Sequence, residues 1–165
     1  MLESISTPRP DRRKFLKIFG ISTLGTGLAA FGGFQYGTRV EPLRLRLERV
    51  EIPFRELPPS MEGFKIVFLS DFHLYPHTRI EQVNEAVQMA NSCKPDLVAL
   101  GGDYVLSTAE AIFDLAPALA RLNAKVGVFS ILGNHDHWRG DEIVVQGLTR
   151  AGIPVLRNTG RTMDL

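Results

Sequence analysis

Hydrophobic residues come in short blocks along most of this chain, and their spacing shifts between two periods. Phe64-Lys65-Ile66-Val67-Phe68-Leu69, Leu97-Val98-Ala99-Leu100 and Val126–Leu132 are brief, nearly continuous apolar runs, the pattern of buried strands. Between them the period becomes helical. Ile80, Val83, Val87 and Ala90 line one side of a first helix, and Ile112, Leu115, Leu119 and Leu122 line a second. Thr78-Arg79-Ile80-Glu81 and Ser107-Thr108-Ala109-Glu110 read as capping boxes that open these helices. Pro95 closes the first, and Pro117 predicts a kink or a split in the second. Asp141–Arg150 predicts a short third helix stopped by Gly152, and Ile153–Leu156 begins another strand. Upstream, Leu43–Glu48 alternates strictly, which predicts a half-exposed strand with a bulge near Glu48-Arg49, where the phase slips. Arg44, Arg46 and Arg49 are then the solvated face of an edge strand. Strand and helix alternating at these lengths build βαβ units, so the fold class is α/β with a mostly parallel sheet.

The N-terminal segment, residues 1–37, has another character. Ile18–Tyr36 carries no charge and is rich in glycine. As a helix it spans roughly 28 Å, close to a bilayer core. Asp11-Arg12-Arg13-Lys14-Phe15-Leu16-Lys17 precedes it and resembles the twin-arginine export motif, Arg-Arg-x-Phe-Leu-Lys, with Asp11 where Ser or Thr is usual. That resemblance implies the twin-arginine export machinery and the membrane as partners. The expected location is the periplasm or the outer face of the cytoplasmic membrane. No clear Ala-x-Ala site follows, which leaves an uncleaved anchor open, its basic end in the cytoplasm. In a chain of 165 residues the remainder, 43–165, is sized for one domain. Nineteen Lys and Arg residues balance 18 Asp and Glu, so nucleic acid is not expected as the main partner. The single cysteine, Cys93, excludes an internal disulfide and is read as a small core or boundary residue.

All three apolar strand runs lead into residues able to hold a metal. The first reaches Ser70-Asp71-Phe72-His73, the second Gly101-Gly102-Asp103, the third Gly133-Asn134-His135-Asp136. Parallel strands place such loops at one end of the sheet, so the three sets can converge. Asp71 and His73, at i and i+2 of an extended loop, project to the same side. Asp103 offers two carboxylate oxygens and Asn134 a neutral carbonyl. Carboxylate mixed with imidazole suits Mn, Fe or Zn better than Mg or Ca.

Asp-x-His, Gly-Gly-Asp and Gly-Asn-His-Asp in this order strongly resemble the calcineurin-like metallophosphoesterases, over roughly residues 43–160. The resemblance implies a β-sandwich flanked by helices, of which this chain supplies the N-terminal part. It implies two divalent or trivalent metal ions, with matches to Asp71, His73, Asp103 and Asn134 as ligands and the Asp103 match bridging. Such a pair holds a hydroxide and clamps a phosphoryl group for in-line attack. The match to His135 lies beside the leaving-group oxygen, where it donates a proton or stabilises charge. The implied activity is hydrolysis of a phosphoester, as a phosphodiesterase or phosphatase, on a small-molecule or lipid-linked substrate. Gly101, Gly102 and Gly133 allow tight turns near the metals. Asp136 either orients His135 or caps the next element. His77 and His137 match no family ligand and are read as exposed or rim residues; Trp138 packs over the loop or lines the mouth of the site. The family continues with another histidine and a Gly-His-x-His motif, whereas no histidine follows His137 here. The expectation is therefore a C-terminally truncated domain with an uncovered sheet edge and face. The alternative is a catalytically inactive, membrane-tethered remnant.

Overall fold

The computed structural model describes residues 11–163, so the first ten residues of the predicted signal, with Asp164 and Leu165, lie outside the described residues. The chain divides into two units, Met1–Arg44 and Leu45–Leu165.

The first unit is built on α1 (Arg12–Arg39), a helix of 28 residues. At the usual rise it is about 42 Å long. Glycine makes it a poor helix by intrinsic propensity, yet no proline interrupts it. Asp11 caps its start, its carboxylate accepting from the Arg13 N–H at 3.0 Å. Aspartate is as good an N-cap as serine or threonine. Thr23 and Thr38 turn their hydroxyls back onto the carbonyls of Phe19 and Phe34, at 2.8 Å each. No residue of α1 is buried, and apolar side chains such as Phe15, Ile18, Leu24, Leu28 and Phe34 are exposed. The helix is long and apolar enough to cross a membrane, where its backbone bonds would all be met internally.

In the second unit, three parallel strands form one sheet in the order β1 (Ile66–Leu69), β2 (Leu97–Leu100), β3 (Gly127–Ser130). Register sets Val67 against Val98 and Val98 against Val128. The apolar runs fold this way because α2 (Ile80–Ser92), α3 (Ile112–Leu119) and α5 (Asp141–Arg150) give them a face to bury. Val83, Val87 and Ala90 of α2, Ile112, Leu115 and Leu119 of α3, and Val144 and Leu148 of α5 close over Val98 and Leu100. Gly147 lets α5 approach α3, since a Cβ there would meet Ile112 Cγ2 at 2.7 Å. The opposite sheet face is exposed at β1, where Phe68 is 66% and Ile66 60% exposed. At β3 it is partly covered, with Arg161 over the Phe129 ring at 5.6 Å and Leu156 and Met163 beside it.

Several local expectations change. Leu43–Glu48 is not a strand, and with no strand there is no bulge at Glu48-Arg49. Glu41–Leu43 is a turn of 3-10 helix, and the chain beyond runs irregularly with Leu43, Leu47, Val50 and Ile52 exposed. Alternation describes a pleat, but a strand also needs a neighbour for its N–H and C=O groups. Arg44, Arg46 and Arg49 are thus solvated without an edge strand beneath them. The predicted strand at Ile153–Leu156 is reduced to one bridge between Ser130 and Val155. Thr78 does not cap α2. Its carbonyl is taken by the Tyr75 N–H, and the helix begins after Arg79, whose N–H donates to Gln82 Oε1 at 3.1 Å. Thr108 likewise accepts no backbone N–H; its hydroxyl donates to the Glu110 carboxylate, and a 3-10 turn, Ala109–Ala111, leads into α3. Pro117 neither splits nor ends α3, which runs on to Leu119. Lacking an N–H, Pro117 gives no helical bond to the Phe113 carbonyl, and Phe113 is itself exposed.

Candidate metal centre

The loops after the three strands meet at one end of the sheet, as the parallel order requires. Backbone hydrogen bonds lace the first two together: Asp71 N–H to Gly102 O at 3.1 Å, His73 N–H to Asp103 O at 3.0 Å, Leu74 N–H to Tyr104 O at 3.0 Å. The first loop is not extended at its ligand-type residues. Asp71 (φ 57) and His73 (φ 44), with Asp103 (φ 56) opposite, all occupy the left-handed region. That costs about 1–2 kcal/mol per residue. Burial of Phe72 and Leu74 from the same loop offsets it, with the Phe72 ring stacked on Tyr104 at 5.8 Å.

The second and third loops touch backbone to backbone. Gly102 has φ +91, and a Cβ on it would lie 2.2 Å from the Gly133 nitrogen. A Cβ on Gly133 would lie 2.1 Å from Asp103 Oδ1. Two glycines therefore set how closely Asp103 approaches the segment that carries His135. That segment, Asn134–Arg139, is a short helix, α4; the sequence pattern does not predict it.

Asp136 locks the arrangement. It is fully buried, and its Oδ2 accepts from the Asp103 N–H at 2.8 Å and the Gly133 N–H at 2.9 Å. Its Oδ1 accepts from Tyr104 N–H at 2.9 Å and Val105 N–H at 3.4 Å. The cap on α4 is thus also a clamp across two loops. Burial pushes the Asp136 carboxyl above the ordinary aspartate value, while the donors of Gly133, Tyr104, Val105 and Asp103 pull it down. Tyr104 is buried beside it, its hydroxyl donating to Ile131 O at 3.1 Å, and burial raises its phenol. Neither the clamp nor Tyr104 was legible as such. The available signal was Asp136 at the third position of a helix starting after Gly133, the acid position of a capping pattern.

Against this clamp three candidate ligand side chains gather. His73, Asp103 and His135 place one ligand atom each within 4.8 Å of one another. Asp103 Oδ1 accepts from the His135 backbone N–H at 2.9 Å, and Oδ2 faces His73 Nε2 at 3.4 Å. The two imidazole rings meet edge to face at 4.7 Å. His73 Nε2 and His135 Nδ1 are buried without a hydrogen-bond partner. Buried imidazole nitrogens of this kind, beside a carboxylate, are what a metal ion would satisfy. Asp71 is exposed and stands outside the trio, and Asn134 is exposed at the first position of α4. His77 and His137 are exposed; His137 Nδ1 lies 3.5 Å from Asp141. The exposed Trp138 ring meets the His135 ring, centroids 5.0 Å apart and planes tilted by 57°.

The model of the calcineurin-like phosphoesterase family matches residues 64–159, more than half of the chain and all three loops. The chain belongs to that family. It is similar to an uncharacterised metallophosphoesterase, YkuE, of Bacillus subtilis strain 168, at 35% identity over 94% of this chain and 55% of that protein. It is also similar to the phosphodiesterase YaeI of Escherichia coli K12, at 34% identity over 90% of this chain and 54% of that protein. A transmembrane protein with a metallophosphoesterase domain from Bos taurus is 36% identical over 56% of this chain and 21% of its own length. The chain thus spans about half the length of the two bacterial relatives. No solved structure matches it.

Proposed function

We propose that the chain carries the metal-binding half-site of an exported phosphodiesterase that hydrolyses its substrate with water as the nucleophile. The observation behind this is the pair of partnerless imidazole nitrogens, on His73 and His135, against the Asp103 carboxylate. Family membership and the likeness to a named phosphodiesterase support the reaction class. His73 and Asp103 would hold the metal ions, and Asp71 and Asn134, both exposed beside the trio, would turn in to add their oxygens. Mn, Fe or Zn fits a donor set of this kind. When bound, two such ions supply Lewis acidity and a hydroxide at neutral pH. The protein's own share is positional: Asp136 and the two facing glycines hold Asp103, and Asp103 in turn holds the His135 backbone. His135 then acts at the leaving oxygen, as proton donor or charge stabiliser. The substrate is a small-molecule or lipid-linked phosphoester, the second because α1 would keep the site near a bilayer.

Metal content and turnover are the test. The purified chain, reconstituted with Mn, is expected to hold two ions and to hydrolyse bis(p-nitrophenyl) phosphate. His73→Ala is expected to lose metal and activity together, His135→Ala to lose activity and keep metal. Metal loss from both variants reassigns His135 as a ligand. No bound metal and no turnover in the parent chain identifies an inactive, membrane-tethered form instead, a reading favoured by the small number of ligand side chains that converge among the described residues.

The export half of the proposal rests on Arg12 and Arg13, the opening residues of α1. Arg12→Lys with Arg13→Lys should leave the protein in the cytoplasm on fractionation; unchanged location removes twin-arginine export.

A further inference from the structure

Trp138 is the only tryptophan of the chain, and it is 70% exposed. Most large aromatic rings in a domain of this size bury their area, because an indole left in water forfeits a large hydrophobic gain. This ring is nevertheless not loose. One side rests on His135 at 5.0 Å with the planes tilted by 57°. His135 in turn meets the His73 ring edge to face at 4.7 Å and is tied to Asp103 through its backbone N–H. The outer part of the indole therefore extends the wall of the site from the imidazole that faces the leaving group. A ring fixed on one side and open on the other is a stacking surface.

The geometry points to Trp138 as the platform for the leaving group, selecting phosphoesters whose departing alcohol carries a flat aromatic or heteroaromatic ring. This rests on the reading of the site as a phosphoester site with His135 at the leaving oxygen. The ester oxygen lies at His135, so the first ring beyond it meets the indole. Trp138 takes no part in bond making. It binds the leaving group and holds the imidazole in place.

The test uses the full chain loaded with Mn and two non-hydrolysable probes, phenylphosphonate and methylphosphonate, followed by Trp138 fluorescence and by calorimetry. Phenylphosphonate is expected to bind about fivefold more tightly, as one aromatic stack provides, and to quench Trp138 as it binds. Trp138→Ala should bring that ratio to about one, and Trp138→Phe should keep most of it. Because the indole is exposed, neither change should alter the fold, which circular dichroism checks. A ratio left unchanged by Trp138→Ala overturns the platform alone. Failure of the Mn-loaded chain to bind either phosphonate overturns the phosphoester site and the platform with it. A blue shift of Trp138 on vesicles of anionic phospholipid, with no preference between the two probes, makes the indole a membrane contact and also overturns the platform.

Discussion

Asp103 and Asp136 are both buried aspartates, and their backbones and side chains interlock, yet they spend their oxygens in opposite ways. Asp136 accepts from four backbone N–H groups, those of Gly133, Asp103, Tyr104 and Val105. Asp103 accepts one, from His135, and turns its other oxygen toward an imidazole nitrogen without a partner. A buried carboxylate is costly unless its lone pairs are met. Asp136 meets them inside the protein and so stabilises the fold. Asp103 leaves the requirement open to a ligand. The difference separates an acid whose oxygens the fold uses up from one left open, the role proposed for Asp103.

Substitution is the direct way to break that contrast. Asp136→Asn replaces an acceptor oxygen by an N–H₂ aimed at backbone donors, leaving at least two buried N–H groups unmet. Chemical denaturation should read a loss of about 3 kcal/mol or more. Asp103→Asn should behave in reverse. Stability should change little, while turnover of bis(p-nitrophenyl) phosphate should fall about 10²–10³-fold, the usual consequence of removing one preorganised charge stabiliser. Loss of less than about tenfold would contradict a bridging role for Asp103.

The seam between the two acids gives a smaller and more mixed effect. Gly102→Ala meets both a positive φ and a backbone contact, so a loss of about 1–3 kcal/mol is expected in thermal unfolding, with weaker metal binding. Equal stability with unchanged metal affinity would show that the loops can part without moving Asp103.

A third aspartate, at the other end of the sheet, sharpens the comparison most gently. Asp96 accepts from Lys125 Nζ at 2.5 Å and from the Lys65 N–H at 2.7 Å, and these bonds hold its carboxyl below the ordinary value of 3.8. Its folded value is depressed, so its contribution is present above the unfolded value. It fades as pH falls through the folded one, in the range below about 4. Asp96→Asn should flatten this acid limb of the stability curve while leaving metal binding alone.

What the amino-acid order determined by itself was local. Continuous apolar runs specified β1, β2 and β3, because short runs rich in Val, Ile, Phe and Leu suit a pleated strand, although Ile66 and Phe68 of β1 remain exposed. A helical stripe specified α2, and the polar residues closing each run named the chemistry, since only certain side chains bind metals. The long uncharged stretch specified α1 by its length and lack of proline. Tertiary structure decided the rest. Leu43–Glu48 had the alternation of a strand but no partner, and pairing is not encoded in the strand that seeks it. Asn134–Arg139 was too short for a helical period to register, and the acceptor for its His135 N–H, Asp103 Oδ1, arrives from the second loop. Trp138 acquired meaning only through contact with His135. Asp136 shows the reason most plainly: from its neighbours it could orient a histidine or cap a helix, and its actual four donors come from residues about 30 positions away as well as from Gly133. A side chain's type is written in the sequence, whereas its partners are fixed only when the loops meet.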